Sequence, residues 1–224
     1  MPEPITTLHS VALPLLRDNV DTDELIPVSE NTRVSESGWG DGLFAAQRYL
    51  DGPGHTPDPG FILNQAPYDR AKIVVSGANF GCGSSRESAA WALRDYGFRI
   101  VVAISFNETF KRNCIINGLA PLMVSREDAE RLAADIADAP ETGVLVDLQS
   151  GSLRHGEQGA PIKFQLDPFY CALLTSGNTE DDMLGALQAE IDRRRVAMVT
   201  AEPWLRSGGL EGAGTGCQSG ATAT

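Results

Sequence analysis

Three short apolar runs, each followed by a helical pattern, constrain this chain more than any other feature. "KIVV" at 72–75 precedes "SRESAAWALRDYG", "RIVVAI" at 99–104 precedes "SFNETFKRNCIING", and "PLMV" at 121–124 precedes "SREDAERLAADIAD". Such runs suit strands buried on both faces and are too short for helices. Strands alternating with helices of this length imply right-handed crossovers and a largely parallel sheet. The helices carry their own punctuation. Ser84 with Glu87, and Ser105 with Glu108, have the capping-box spacing, and Gly97 and Gly118 stand where helices end.

The flanks are read in the same way. "LHSVALPLL" is one strand ending near Arg17, "RDNVDTDELIP" a polar loop, and "DGLFAAQRYL" a short helix. "DGPGHTPDPGF" is too rich in proline and glycine to be anything but a loop. "VLVDLQSGSLRHGEQGAPIKFQL" reads as a hairpin-rich strand layer, and a last helix covers part of 180–199. Residues 1–206 are expected to form a single domain. Residues 207–224, almost all small or glycine, form an expected disordered tail.

With 224 residues, 42% of them hydrophobic, the chain can bury a full core. Its formal net charge of -12 disfavours nucleic acid or an anionic membrane as the main partner. "MPEPITTLHS" lacks the basic and apolar regions of a signal peptide, and no apolar run approaches the ~20 residues that span a bilayer. A soluble, cytoplasmic protein is the expectation. Cys82, Cys114, Cys171 and Cys217 are far apart with no Cys-x-x-Cys pair, so this chain is expected to hold no metal or cofactor of its own.

The junction "NFGCGSSRE" raises the functional question. Its bland explanation is a well-capped helix start at Ser84. Three features point further. Gly81 and Gly83 let a ligand approach the main chain, a helix N-terminus attracts anions, and Arg86 sits in a first turn that favours an acid. A guanidinium grips a carboxylate through two hydrogen bonds. The stretch lacks the Gly-Lys-Ser/Thr of a P-loop. It also has Arg86 where a dinucleotide fingerprint needs its third glycine. A small carboxylate fits better than a nucleotide.

"NVDTDELIP", "NFGCGSSRE", "WALRDYGF" and "SFNETFKRNCIINGLAPL" together resemble the small subunit of isopropylmalate isomerase (3-isopropylmalate dehydratase), over roughly residues 8 to 170. The resemblance implies an aconitase-like swivelling β/β/α domain: an α/β fold whose largely parallel central sheet has flanking helices and a strand-rich layer. It implies a half-enzyme, in which a separate large subunit carries a [4Fe–4S] cluster and the small subunit closes over the substrate, a small 2-hydroxy di- or tricarboxylic acid. By carry-over Ser84 is the base that takes a proton from carbon, and Ser85 and Arg86 bind substrate carboxylate. Thr22, Asp23 and Arg33 are expected substrate contacts, and Gly81, Gly83 and Glu87 shape the site. A serine hydroxyl is a poor base unless positive charge stabilises its alkoxide, which the helix terminus and Arg86 are placed to supply.

The chain departs from the family's pattern at Ser88, where histidine is usual, in "VSENTRVSESGWG" after Ile26-Pro27, and at "LLTSGNTEDDMLGAL". The reading for function is isomerisation of 2- and 3-isopropylmalate in leucine biosynthesis. The same chemistry on homoaconitate, citraconate, dimethylmaleate or a similar acid is the alternative, and a non-catalytic binding module a more distant one.

Overall fold

The computed structural model describes residues 3–31, 38–51, 55–84 and 86–201. The chain divides into two compact units, one ending at Thr179 and one beginning at Glu180. In the first unit strands β1 (Thr7–Ser10) and β2 (Ala12–Leu15) are followed by short helices α1 (Thr22–Leu25) and α2 (Ala45–Arg48). The expected alternation follows: β3 (Ile73–Ser76), α3 (Glu87–Tyr96), β4 (Ile100–Ala103), α4 (Glu108–Ile116), β5 (Ala120–Met123) and α5 (Arg126–Asp138). Strands β6 (Val144–Asp147), β7 (Ser152–His155) and β8 (Ile162–Lys163) and helix α6 (Pro168–Ser176) complete it. The second unit is described over one long helix, α7 (Glu180–Ala201). The expected tail, 207–224, lies outside the described residues.

Strands β2, β3, β4 and β5 form a parallel sheet in that order, with Val74 level with Leu13 on one side and Val101 on the other. Both central strands are buried at every position, which is why their sequences are unbroken apolar runs. Alternate residues feed two cores. Leu13, Val74 and Val101 join Leu93 and Phe110 from α3 and α4. Ala12, Ile73, Val75, Ile100 and Val102 join Leu132 and Ile136 from α5, and Val144, Val146 and Leu153 from a second, antiparallel sheet ordered β1-β6-β7-β8. The arrangement is the expected parallel sheet with a strand-rich layer.

Four local readings change. "LHSVALPLL" is two strands: β1 pairs antiparallel with β6, and β2, after Val11, pairs parallel with β3. One apolar run therefore serves both sheets. The polar loop at 17–27 contains α1, capped by Asp21, whose Oδ1 accepts from the Glu24 N–H at 2.7 Å. Helix α4 is capped by Asn107, which accepts from the N–H groups of Thr109 and Phe110, while the Ser105 hydroxyl accepts from the Asn79 N–H instead. Helix α6 was not expected, although Asp167 caps it, Pro168 opens it and Gly177 closes it in the left-handed conformation.

Candidate active site

The stretches "NVDTDELIP" and "NFGCGSSRE" lie side by side because β2 and β3 are parallel neighbours and the chains leaving them stay in register. Asn19 N–H donates to the Ala78 carbonyl (2.8 Å), Gly81 N–H to Val20 (2.8 Å), and Thr22 N–H to Cys82 (2.9 Å). Asp21 and Cys82 form a parallel bridge. The last stitch is a side chain: the Thr22 hydroxyl, fully buried, donates to the Ser84 carbonyl at 2.8 Å. This ladder extends the sheet past its regular strands and delivers Ser84 to the start of α3.

Two glycines make the turn possible. Gly81 has φ +73°, and a Cβ there would lie 2.1 Å from the Phe110 ring. Phe110 is 1% exposed and packs edge-on against Phe80, centroids 5.6 Å apart, so it has nowhere to go. Gly83 has φ +88°, but its nearest neighbours, Asp21 and Thr22, would stand 3.5 Å from a Cβ. Backbone conformation alone demands glycine at Gly83, whereas Gly81 also needs the space.

The Ser84–Glu87 capping box is not formed. The N-cap of α3 is Arg86, in extended conformation, and Glu87 is the first helical residue. The Ser84 carbonyl accepts from the Arg86 N–H at 2.7 Å, closing a tight turn before the helix. Glu87 reaches away from the junction, accepting from the Asn117 side chain at 3.0 Å and tying α3 to α4. Ser84 is exposed, and its hydroxyl has no hydrogen bond among the described residues. The main chain of Ser84 is held; its Oγ is presented.

Arg86 is mostly buried, its side chain 24% exposed, and its guanidinium pairs with the Asp23 carboxylate. The guanidinium thus already holds a carboxylate, contributed by the chain itself. Asp21, Thr22 and Asp23 separate into three roles: a helix cap, a buried strut beneath Ser84, and the partner of Arg86. Thr22 is therefore occupied with the loop rather than open to a ligand. Ser85 and Arg33 lie outside the described residues.

Outer groups hold this frame. The Asp18 carboxylate accepts from the Ala78 N–H (2.7 Å) and from Arg126 (3.1 Å), and these contacts lower its pKa from 3.8. A side chain on Gly77 would meet Asp18 Oδ1 at 2.3 Å, so glycine is needed there too. Sequence reasoning missed Asp18, Phe110 and the strut role of Thr22. The one available signal was that an Asp-Thr-Asp turn and a Gly-x-Gly turn follow adjacent strands.

Among the described residues three cysteines are free thiols, Cys82, Cys114 and Cys171. Cys114 is fully buried against Phe110 and its neighbours in the first core, and burial pushes its thiol far up. Burial, then the charges of Asp21 and Glu24, raise the Cys82 thiol. Cys171 is raised by burial and then by Asp147, and donates its thiol to the Leu148 carbonyl. Among the described residues no three metal-binding side chains converge, and no helix is long and apolar enough to cross a membrane.

Residues 3–127 match the model of the aconitase C-terminal domain. The chain is 40% identical over 203 residues to the 3-isopropylmalate dehydratase small subunit of Azorhizobium caulinodans, spanning 91% of this chain and all of that protein. It is 42% identical over 208 residues to the protein of the same name from Cupriavidus necator, spanning 92% of this chain and all of that one. Among solved structures, 3-isopropylmalate dehydratase from Methanocaldococcus jannaschii superposes with a TM-score of 0.60 at 22% identity, covering 84% of this chain and 99% of that one. That likeness supports the same fold. With a matching domain over more than half its length and relatives that it covers from end to end, the chain belongs to the family of 3-isopropylmalate dehydratase small subunits.

Proposed function

We propose that this chain is the small subunit of a heteromeric hydro-lyase that interconverts 2-isopropylmalate and 3-isopropylmalate by dehydration and rehydration, as a step in leucine biosynthesis. The observation that carries the reading is the ladder from Asn19 to Ser84, which puts a serine hydroxyl, unpartnered among the described residues, at the start of a ten-residue helix beside a mostly buried guanidinium. The small-subunit names of the relatives support a separate large partner. A [4Fe–4S] cluster held by that partner would supply the Lewis acidity for loss of the substrate hydroxyl. This chain contributes the proton chemistry and the carboxylate grip.

Ser84 Oγ, as the alkoxide, takes the proton from the carbon beside a carboxylate, and the electron pair left behind forms the double bond as hydroxide departs. On rehydration the same oxygen returns a proton to carbon, so isomerisation consumes none. The positive end of α3 and the Arg86 guanidinium lower the cost of the alkoxide. Arg86 fixes one substrate carboxylate by its two-point geometry, exchanging Asp23 for the substrate. Thr22 acts on the reaction only through the Ser84 main chain.

The test is reconstitution. The chain is co-expressed with the large subunit, the cluster is rebuilt anaerobically, and ultraviolet absorbance of the unsaturated acid is followed with 3-isopropylmalate as substrate. Turnover requiring both chains supports the proposal. Turnover by this chain alone would refute it. So would an intact reconstituted pair that leaves both isopropylmalates unchanged.

A further inference from the structure

The opposite end of the parallel sheet, where β3 and β4 begin, carries a second concentration of positive charge. A cleft of about 420 Å³ lies between the N-terminal segment and the residues that enter β3 and β4. Its charged lining is Lys72, Arg94, Arg99 and a single acid, Glu3, and its apolar wall includes Pro4 and Leu8. In a chain of formal charge -12 this is a local inversion to a formal +2. The volume falls within the ordinary range for small-molecule sites.

The three cations stand on fixed backbone. Lys72 and Arg99 immediately precede β3 and β4 and are joined by the Arg99 N–H to the Lys72 carbonyl at 2.8 Å. Arg94 lies in the last turn of α3, where Gly97 closes the helix onto its carbonyl. Glu3 occupies part of the Arg99 guanidinium, through its carboxylate at 2.7 Å and through its own carbonyl. The buried Arg99 Nε has no partner among the described residues. The side chains of Lys72 and Arg94 form no hydrogen bond or ion pair among the described residues. Two cations therefore remain uncompensated, facing an aliphatic wall. Each four-residue strand spans roughly 13 Å, so this cleft and the Ser84 loop sit at opposite ends of the same strands.

We propose that this cleft is a second binding site, separate from the Ser84 loop, for a small dianion with an aliphatic body, a short dicarboxylate. One carboxylate pairs with Arg94 and Lys72, the other shares Arg99 with Glu3, and the carbon chain lies along Pro4 and Leu8. The inference stands independently of the hydro-lyase reading.

The experiment titrates the full chain with succinate at constant ionic strength, reading backbone amide shifts and binding heat. The expected result is saturable binding with a Kd of roughly 1 mM or tighter, moving the amides of Lys72, Arg94, Gly97 and Arg99. The double variant Lys72→Gln with Arg94→Gln is expected to weaken binding at least about tenfold, with unchanged melting temperature. Arg86→Gln is expected to leave these shifts as they are. The proposal is overturned if the cleft amides do not respond beyond a sodium chloride control, or if only loop 76–86 responds. Equal affinity in the double variant overturns it too. Inorganic phosphate binding as tightly as succinate would overturn the dicarboxylate assignment, since phosphate cannot use the aliphatic wall.

Discussion

Gly81→Ala is the substitution whose cost the structure defines most closely. The new methyl would sit 2.1–2.2 Å from two ring atoms of Phe110 and 2.7 Å from its Cβ, where ordinary contact begins near 3.4 Å. Phe110 must move by more than an ångström, yet it is 1% exposed and held between Phe80 and the sheet. Overpacking of this kind costs about 1–3 kcal/mol. The left-handed backbone adds about 1–2 kcal/mol for any residue with a Cβ. The sum, roughly 2–5 kcal/mol, corresponds to a melting temperature lower by about 4–20 °C in a chain of this size. Gly83→Ala shares the positive φ without the collision, so it should lose only the backbone share, about 1–2 kcal/mol. Differential scanning calorimetry of both variants separates the two contributions. A Gly81→Ala protein that melts within about 2 °C of the parent, or no worse than Gly83→Ala, would refute the packing argument.

Other outcomes follow from the same geometry. Arg86→Lys retains the charge and loses the planar grip, so turnover of the assembled enzyme should fall about a hundredfold, or roughly 2–3 kcal/mol, with stability unchanged; near-normal kinetics would remove Arg86 as the carboxylate clamp. The Ala78 N–H and Arg126 depress the pKa of Asp18, the Thr56 hydroxyl and N–H that of Asp51, and the Ser150 N–H that of Asp147, all from 3.8. Their stabilisation is therefore complete above that value and lost as pH falls through the lower folded values. Calorimetry from pH 7 downwards should show the melting temperature dropping below about pH 4, and a profile flat to pH 2.5 would contradict it. Burial and then the Asp21 and Glu24 charges raise the Cys82 thiol above 9.0, so at pH 7.5 it should react with a disulfide reagent more slowly than glutathione does. Faster reaction would mean the loop is more open than described.

Much of the fold was readable because its central strands are buried on both faces and so appear as unbroken apolar runs. The capping boxes at Ser84 and Ser105 failed for a common reason. In both places the chain leaving a strand is still pairing with its neighbour, which delays the helix by two residues: the Ser84 carbonyl is engaged by Thr22, and the Ser105 hydroxyl by Asn79. Local spacing cannot report a competitor 62 residues away, as for Ser84, or 26 away, as for Ser105. The split of "LHSVALPLL" between two sheets was hidden for the same reason, since its partners, β6 and β3, lie far along the chain. Helix α6 was legible in its Asp167-Pro168 start and Gly177 stop, but the preceding hairpins drew the reading toward strands. At the candidate site, residue type singled out Ser84, Arg86 and the glycines as candidates. The division of labour within Asp21-Thr22-Asp23 needed the coordinates, because only burial separates a strut from a ligand contact.

The central claim is that the Ser84 hydroxyl does chemistry and bears no weight in the fold. Because its Oγ is exposed and unpartnered among the described residues while its carbonyl carries the contacts, Ser84→Ala should alter stability by no more than about 0.5 kcal/mol. The measurement is turnover of 3-isopropylmalate by the reconstituted pair, with melting temperature and subunit association taken on the same preparation. The account predicts a fall of several orders of magnitude in turnover with folding and assembly intact. Turnover within about tenfold of the parent, ~1.4 kcal/mol at the barrier, would contradict it.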